Sequence, residues 1–428
     1  MRIAQWLSGG VMPLWMMGAG AFFACTVGSR LLLHPKRCRE ALGNGGKSSL
    51  RALSVALAGT LGVGNIAGVA TAIVLGGAGA VFWMWMSALL AMMLKYAEIV
   101  LAVRHRCADS NGRSHGGAMY YIKVAFGRKL GGGVAALFAL LCLCCSIMLG
   151  GVIQSAAAAE AMEAVFDLPP LLVGGAMGVV AALILMKGSA RVEGACTALV
   201  PFVCLLFTVA SVAVLWLRRE MLPAAFGEIL KGAFDFGSCG AGVLGFFTSK
   251  AVRYGVARGV VSNEAGCGTA PIAHAAAEGK SPAAQGLWGV LEVFVDTVLL
   301  CTLTALVIMV SGVPMAGEGG TALAIAAYSA VLGPIAAPIL ALSVLFFAFA
   351  TVLCWSHYGV ECLFYLTNNP KTANRMLPAV LLSCVAGAVV APGILWELTD
   401  VILALMAVLN ITALLILRRS VAEETARL

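Results

Sequence analysis

A Gly-rich interruption lies inside an apolar run long enough to cross a bilayer: Gly59-Thr60-Leu61-Gly62-Val63-Gly64-Asn65-Ile66-Ala67-Gly68, within residues 50–77. In lipid every backbone polar group must be satisfied inside the protein, so broken backbone at membrane depth survives only where it lines a cavity or an ion site. Far downstream, Ser238-Cys239-Gly240-Ala241-Gly242 repeats the hydroxyl-x-Gly-x-Gly spacing of Thr60-Leu61-Gly62-Val63-Gly64. Two broken helices in corresponding halves point to a secondary transporter. The alternative reading of Gly240 and Gly242 is close helix packing.

The rest of the chain places those runs in a membrane. Apolar residues make up 61% and charged residues 11%, against about 45–50% and about 25% in soluble domains. Such a chain cannot cover its own surface with polar groups. Runs of about 20 apolar residues give eleven candidate spans: 10–33, 50–77, 79–103, 132–158, 170–186, 195–217, 238–259, 284–311, 335–365, 376–391 and 393–417. The first is too long for a signal-peptide core of about 7–15 residues and reads as a retained helix.

Lys and Arg set the orientation. They fall in the odd-numbered loops: Lys36, Arg37, Arg39, Lys47 and Arg51 after span one, Arg104, Arg106 and Arg113 after span three, and Lys250, Arg253, Arg258 and Lys280 around the end of span seven. The loop 159–169 on the other side is acidic through Glu160, Glu163 and Asp167. The N-terminus is therefore expected outside and the C-terminus in the cytoplasm of a multi-pass protein of the plasma or inner membrane. The net charge of +8 is a topology signal, and no nucleic-acid partner is expected; the partner implied by composition is the lipid bilayer.

Enzyme signatures are weak or absent. Gly43-Asn44-Gly45-Gly46-Lys47-Ser48 ends like a phosphate loop but has Ala41 where the first Gly belongs, and it reads as a flexible basic loop. The chain has no His-Glu-x-x-His and no Gly-x-Ser-x-Gly, so an intramembrane enzyme is only a second hypothesis. The fourteen cysteines sit mostly inside apolar spans and behave as small hydrophobes. Residues 114–129 read as an amphipathic stretch at the cytoplasmic interface, with Tyr and Lys at headgroup level. Residues 221–234 and 320–331 look similar on the outer side and flank the spans that follow. Lys95 and Glu98 lie one turn apart and read as a snorkelling local pair. Asp296, deep in an apolar span, is either a proton or ion relay or a structural acid bonded to hydroxyls such as Thr297 or to a buried Arg.

Longer blocks carry a resemblance. Gly62-Val63-Gly64-Asn65-Ile66-Ala67-Gly68-Val69-Ala70-Thr71-Ala72-Ile73, followed by Phe82-Trp83-Met84-Trp85, resembles the fingerprint of the alanine or glycine:cation symporters, also called the sodium:alanine symporter family, within the amino acid-polyamine-organocation superfamily. Ala251 to Gly259, Ser262-Asn263-Glu264-Ala265-Gly266-Cys267-Gly268-Thr269-Ala270-Pro271 and Phe347-Ala348-Phe349 through Trp355 are similar to later blocks of the same family. The resemblance implies an all-α integral membrane protein with the leucine-transporter-like five-plus-five inverted repeat and one extra N-terminal helix. Residues 1–49 are then the extra helix and a basic loop, 50–237 and 238–417 the two halves, and 418–428 a tail. The implied activity is sodium-coupled symport of a small neutral amino acid, alanine or glycine, with protons as the alternative coupling ion, no organic cofactor and no catalysis.

The break itself suggests the site. An unwound helix frees N–H groups on one side and carbonyls on the other. The half-helix beginning near Gly64 offers its positive end to a substrate carboxylate, with Thr60, Gly62, Val63 and Asn65 beside it. Freed carbonyls of Ala58, Leu61 and Thr60, with the Asn65 side chain, would face sodium, and family likeness adds positions 350 and 351 on the facing helix. Ala350 stands where family members carry a hydroxyl, and Cys354 and His357 stand where Gly and Tyr are usual. Gln154 resembles a substrate-contacting Gln of the family; the alternative is an interhelical hydrogen bond. Gly151 and Ala156 replace amides there, making the wall less polar. Trp355 either closes one side of a small pocket or is core packing. The Asn263–Gly266 block is expected to shape a cytoplasmic gate, with a turn leading into a helix near Pro271.

Overall fold

The computed structural model describes residues 12–108, 114–235, 249–279, 281–315, 320–369, 373–390 and 393–428. Its elements are almost entirely helical. Helix α1 (Met12–Phe23) continues through a π-turn to Leu33, and an amphipathic α2 (Pro35–Gly43) follows. The broken helix comprises α3 (Gly46–Thr60) and α4 (Ala67–Gly76), and α5 (Gly79–Arg104) runs beside it. A two-stranded antiparallel ribbon, β1 (Cys107–Ala108) and β2 (Ser114–His115), precedes α6 (Ala118–Ala125). Next come α7 (Gly127–Ile147), a π segment at Met148–Ile153, α8 (Gln154–Phe166), α9 (Pro170–Leu185), α10 (Ser189–Leu217) and α11 (Leu222–Ala233).

The second half holds α12 (Lys250–Asn263), α13 (Ala270–Ala275) and α14 (Pro282–Val293), which passes through a π segment at Phe294–Cys301 into α15 (Thr302–Val310). Then follow α16 (Thr321–Leu332), the long α17 (Ala336–Thr367), α18 (Ala373–Val389), α19 (Gly393–Ile416) and α20 (Arg418–Ala426). Among the described residues seven helices are long and apolar enough to cross a membrane, eight if the bent α3–α4 pair is one span. Helix α9 and residues 375–389 are apolar but shorter. Length and hydropathy alone therefore do not reach eleven spans here.

Two interruptions organise the interior. The first is the expected one: α3 and the helical stretch that follows it bend by 65°. Gly62 is extended (φ −120°, ψ −157°), and its N–H turns to the Thr60 carbonyl at 2.9 Å, so the Ala58 carbonyl loses its helical donor. The expected second interruption, Ser238–Gly242, lies outside the described residues. A buried interruption does occur further on, between α12 and α13. There Glu264 (φ 51°), Gly266 (φ 85°) and Gly268 (φ 80°) adopt left-handed backbone, a conformation that costs little for glycine and more for glutamate. Asn263 holds this turn by accepting the Ala265 N–H at 3.0 Å, and Pro271 opens α13.

The packing corrects several expectations. The N-terminal end of α12 lies against the Gly76–Gly79 corner, where a Cβ on Gly76 would meet Tyr254 Cβ at 3.0 Å and the Lys250 carbonyl at 3.2 Å. Its sequel α13 reaches the opposite end, where Arg106 donates to the Ala275 carbonyl at 3.4 Å. Lys250 and Arg253 thus sit at the opposite end from Arg104 and Arg106, although the charge count grouped all four. Gly43–Ser48 is a tight helix junction, with Ser48 accepting the Glu278 N–H at 2.9 Å, because a Cβ on Gly45 would lie 2.3 Å from the Trp288 ring. Within the 114–129 stretch His115 and Tyr121 are buried, held by Glu361 at 2.7 Å and by Asn410 at 2.6 Å, while Lys123, Val124, Arg128 and Lys129 are exposed.

Candidate substrate and ion site

The first interruption, α8, the middle of α17 and the end of α12 enclose a cavity of ≈ 520 Å³. Gly59, Thr60, Gly62, Val63 and Gly64 line it, together with Gln154, Trp355, Ser262 and Glu264, and Glu160, Glu163, Gly320 and Thr321 line its far reach. Several residues expected at the site therefore converge on one cavity from helices distant in sequence. The connector helix α16 begins at its rim, whereas α11 packs on α5, where Trp83 Nε1 donates to the Ala233 carbonyl at 2.9 Å.

Gln154 is placed by local backbone. It follows the π segment Met148–Ile153, a helical irregularity of a kind common at functional sites. Gly150 and Gly151 permit the close approach that holds this segment: Cβ atoms there would lie 2.2 Å from Trp355 Cβ and 2.1 Å from Ser383 Oγ. Gly151 is thus excluded from carrying a pocket amide by α18, while Ala156 does line the cavity. Gln154 Oε1 accepts the Val63 N–H at 3.4 Å, a long contact to a donor that the helix break has released. A Cβ on Gly62 would be 3.0 Å from Gln154 Oε1 and 3.1 Å from Thr351 Oγ1, so Gly62 lets the break, the amide and the facing helix meet.

Of the residues expected at an ion site, Leu61 and Thr351 come together. Thr351 Oγ1 donates to the Leu61 carbonyl at 3.4 Å and to its own helix at the Phe347 carbonyl at 3.0 Å. Ala58 and Ala350 are fully buried, and Thr60 Oγ1 points back to the Ala56 and Leu57 carbonyls at 3.5 and 3.4 Å. The Asn65 side chain is directed elsewhere. Its Nδ2 donates to Asp296 Oδ1 at 2.8 Å and lies 3.3 Å from Ser262 Oγ, while its Oδ1 has no hydrogen-bond partner among the described residues. Trp355 Nε1, also buried, is likewise without one.

Asp296 accepts three donors: Asn65, and the Ser262 and Thr297 hydroxyls, each of the latter at 2.8 Å. It joins the first interruption, the end of α12 and the π segment after α14. The buried Arg considered as its partner is absent among the described residues, and the hydroxyl partners are present. Thr304 adds a bond to the Asn65 carbonyl at 2.9 Å.

A second buried polar cluster surrounds Lys95, and its pairing departs from the sequence expectation. Lys95 is fully buried, and its Nζ sits 3.2 Å from Glu292 Oε1 on α14, not on Glu98 one turn away. His274 Nδ1 accepts from Gln285 Nε2 at 2.8 Å, which leaves its Nε2 to donate to Glu292 Oε2 at 3.1 Å. Ser49 donates to Gln285 Oε1 at 2.8 Å. Glu98 instead accepts the Gly268 N–H at 2.9 Å and an amide hydrogen of Asn410. Charge in this region is tied to α3, α5, α13, α14, α19 and the second interruption. Sequence spacing alone does not reveal such long-range pairs; the only signal was their rarity as charges in apolar runs.

The profile of the sodium:alanine symporter family matches residues 1–427. The chain belongs to that family. Within it, an uncharacterized transporter of Haemophilus influenzae is 39% identical over 386 residues, spanning 90% of this chain and 84% of its own. The sodium/alanine symporter AgcS of Methanococcus maripaludis is 35% identical over 430 residues, spanning 97% and 94%. In fold, this member of the sodium:alanine symporter family is similar to a crystal structure of the manganese transporter of Eremococcus coleocola, with a TM-score of 0.52 at 15% identity over 89% of this chain and 78% of that one. Membership makes the chain a multi-pass membrane protein for cation-coupled amino-acid symport, and not an enzyme.

Proposed function

We propose that the chain is a sodium-coupled symporter of a small neutral amino acid, alanine or glycine, working by alternating access. The observation that carries this reading is the released Val63 N–H facing Gln154 inside the cavity. Backbone donors at the start of a half-helix suit a substrate carboxylate. Gly62, Val63, Gly64, Gln154 and Trp355 would hold the substrate, with Thr60 at the edge. Gly240 and Gly242 remain candidates for the same wall.

Sodium would sit against the Leu61 carbonyl and Thr351 hydroxyl, with the Ala58 carbonyl near. Ala350 offers no hydroxyl there, and the Asn65 side chain would have to leave Asp296 to join. The name of the archaeal relative, a sodium/alanine symporter, supports both ion and substrate. The proposed frame is a five-plus-five inverted repeat after one extra helix, with the N-terminus outside.

Uptake of labelled alanine into proteoliposomes tests the reading, with an imposed sodium gradient, an imposed proton gradient, or neither. Accumulation above equilibrium with sodium alone is expected. Proton-driven uptake would remove the sodium assignment and keep the carrier, and no alanine uptake under any gradient would remove the substrate assignment.

A further inference from the structure

We infer that Glu264, at the second helix interruption, is the counter-charge for the α-ammonium group of the transported amino acid. The inference rests on the proposed function and adds a charged specificity residue to it.

Glu264 lines the cavity that Gly62, Val63, Gly64 and Gln154 also line. Its backbone is left-handed, with φ 51°, a conformation rare for a non-glycine residue and concentrated at functional sites. The Glu264 N–H donates to the Val260 carbonyl at 2.9 Å, closing α12, and the turn continues as Cys267 donates to the Glu264 carbonyl at 3.1 Å. The side chain is thereby fixed at the end of α12, one residue after the Asn263 that holds the turn.

The carboxylate is only half satisfied. Oε2 accepts from Thr269 Oγ1 at 2.7 Å, and among the described residues Oε1 takes no hydrogen bond and no salt bridge reaches either oxygen. Lys95, the buried cation of this region, is committed to Glu292 at 3.2 Å, and Arg258 lines the same cavity without pairing to Glu264. A carboxylate on a residue that is 4% exposed is costly to keep without a cation or a full set of donors. A cationic ligand in the cavity supplies what the protein does not.

Geometry favours the ammonium end of an amino acid. The end of α12 lies against the first interruption, where a Cβ on Gly64 would stand 4.0 Å from Ser262 Cα. One wall thus presents the Val63 N–H, held by Gln154 through a contact of 3.4 Å, and the other carries Glu264 beside Arg258, so partners for both ends of a zwitterion face one cavity. The remaining acids of the cavity, Glu160 and Glu163, belong to the far end of α8.

Equilibrium binding to the purified full chain in nanodiscs tests this, with L-alanine and L-lactate as probes, since lactate replaces the ammonium by a hydroxyl. Wild type should prefer alanine, and Glu264→Gln should weaken alanine by about tenfold to a hundredfold, the scale of a charged contact, while leaving lactate unchanged or tighter. Thr269→Val removes the hydrogen bond but keeps the charge and should preserve the preference within about threefold. An unchanged alanine-to-lactate ratio in Glu264→Gln overturns the inference, as does a change confined to sodium dependence. If that variant does not fold, Glu264→Asp decides: a withdrawn carboxylate lowers the ratio, and an unaltered ratio overturns the inference. Failure of wild type to bind alanine at all would instead overturn the proposed substrate.

Discussion

Asn65 donates its side-chain amide to Asp296 Oδ1 at 2.8 Å, and this bond ties the first helix interruption to the π segment that follows α14. Because Ser262 donates to the other oxygen of the same carboxylate at 2.8 Å, one acid fastens both interrupted helices to a third element. Movement of either interruption relative to the third element would therefore stretch or exchange these bonds.

Asn65→Ala removes one of three donors from a fully buried carboxylate. Loss of about 1–3 kcal/mol of stability is expected, read as a lower unfolding temperature in detergent or nanodiscs with and without sodium. A variant that loses only sodium-dependent stabilisation would instead make Asn65 an ion ligand first.

Gln154→Ala leaves the Val63 N–H without its side-chain acceptor. Uptake should fall by about tenfold or more, mainly through KM, if the amide positions the substrate end of the break. A purely interhelical role predicts reduced stability with KM unchanged, so paired uptake and melting measurements separate the two.

Gly62→Ala should abolish uptake, since its Cβ would crowd Gln154 Oε1 at 3.0 Å and Thr351 Oγ1 at 3.1 Å. Gly68→Ala, where a Cβ meets nothing within 4 Å, should retain most of it. Comparable loss in both would mean that general flexibility of the break, and not contact at Gly62, matters.

Lys95→Met strands Glu292 without its cation in a dry interior, and a cost of about 3–5 kcal/mol is expected. The double change Lys95→Met with Glu292→Gln should recover part of that loss in the melting temperature. The pair Lys95→Met with Glu98→Gln should recover less, because Glu98 is bonded to Gly268 and Asn410 instead.

Thr351→Val keeps shape and removes a hydroxyl 3.4 Å from the Leu61 carbonyl. The sodium concentration for half-maximal uptake should rise severalfold, while alanine affinity at saturating sodium changes less. Equal effects on both would place Thr351 at the substrate.

The membrane character of the chain and its first interruption were legible in the residues themselves. Apolar runs and a glycine cluster act locally: burial in lipid and backbone freedom need no knowledge of distant neighbours. Gln154 and Trp355 were likewise singled out, and both line the cavity. The interruption at Glu264–Thr269 falls just beyond the expected span 238–259, because Asn263, Glu264 and the glycines after them lower the local hydropathy at which an apolar run ends.

Tertiary structure alone decided the partners of the buried charges. One helical turn suggested Lys95 with Glu98, yet a side chain in a dry interior bonds to whatever packing brings within reach, and α14 brings Glu292 to 3.2 Å. The same holds for Asn65, whose amide turned from the Leu61–Thr351 pair to Asp296. Local sequence determines that the chain is apolar enough to enter a membrane and where one of its helices must break; the pairing of its buried polar groups follows from contacts between helices distant in the chain.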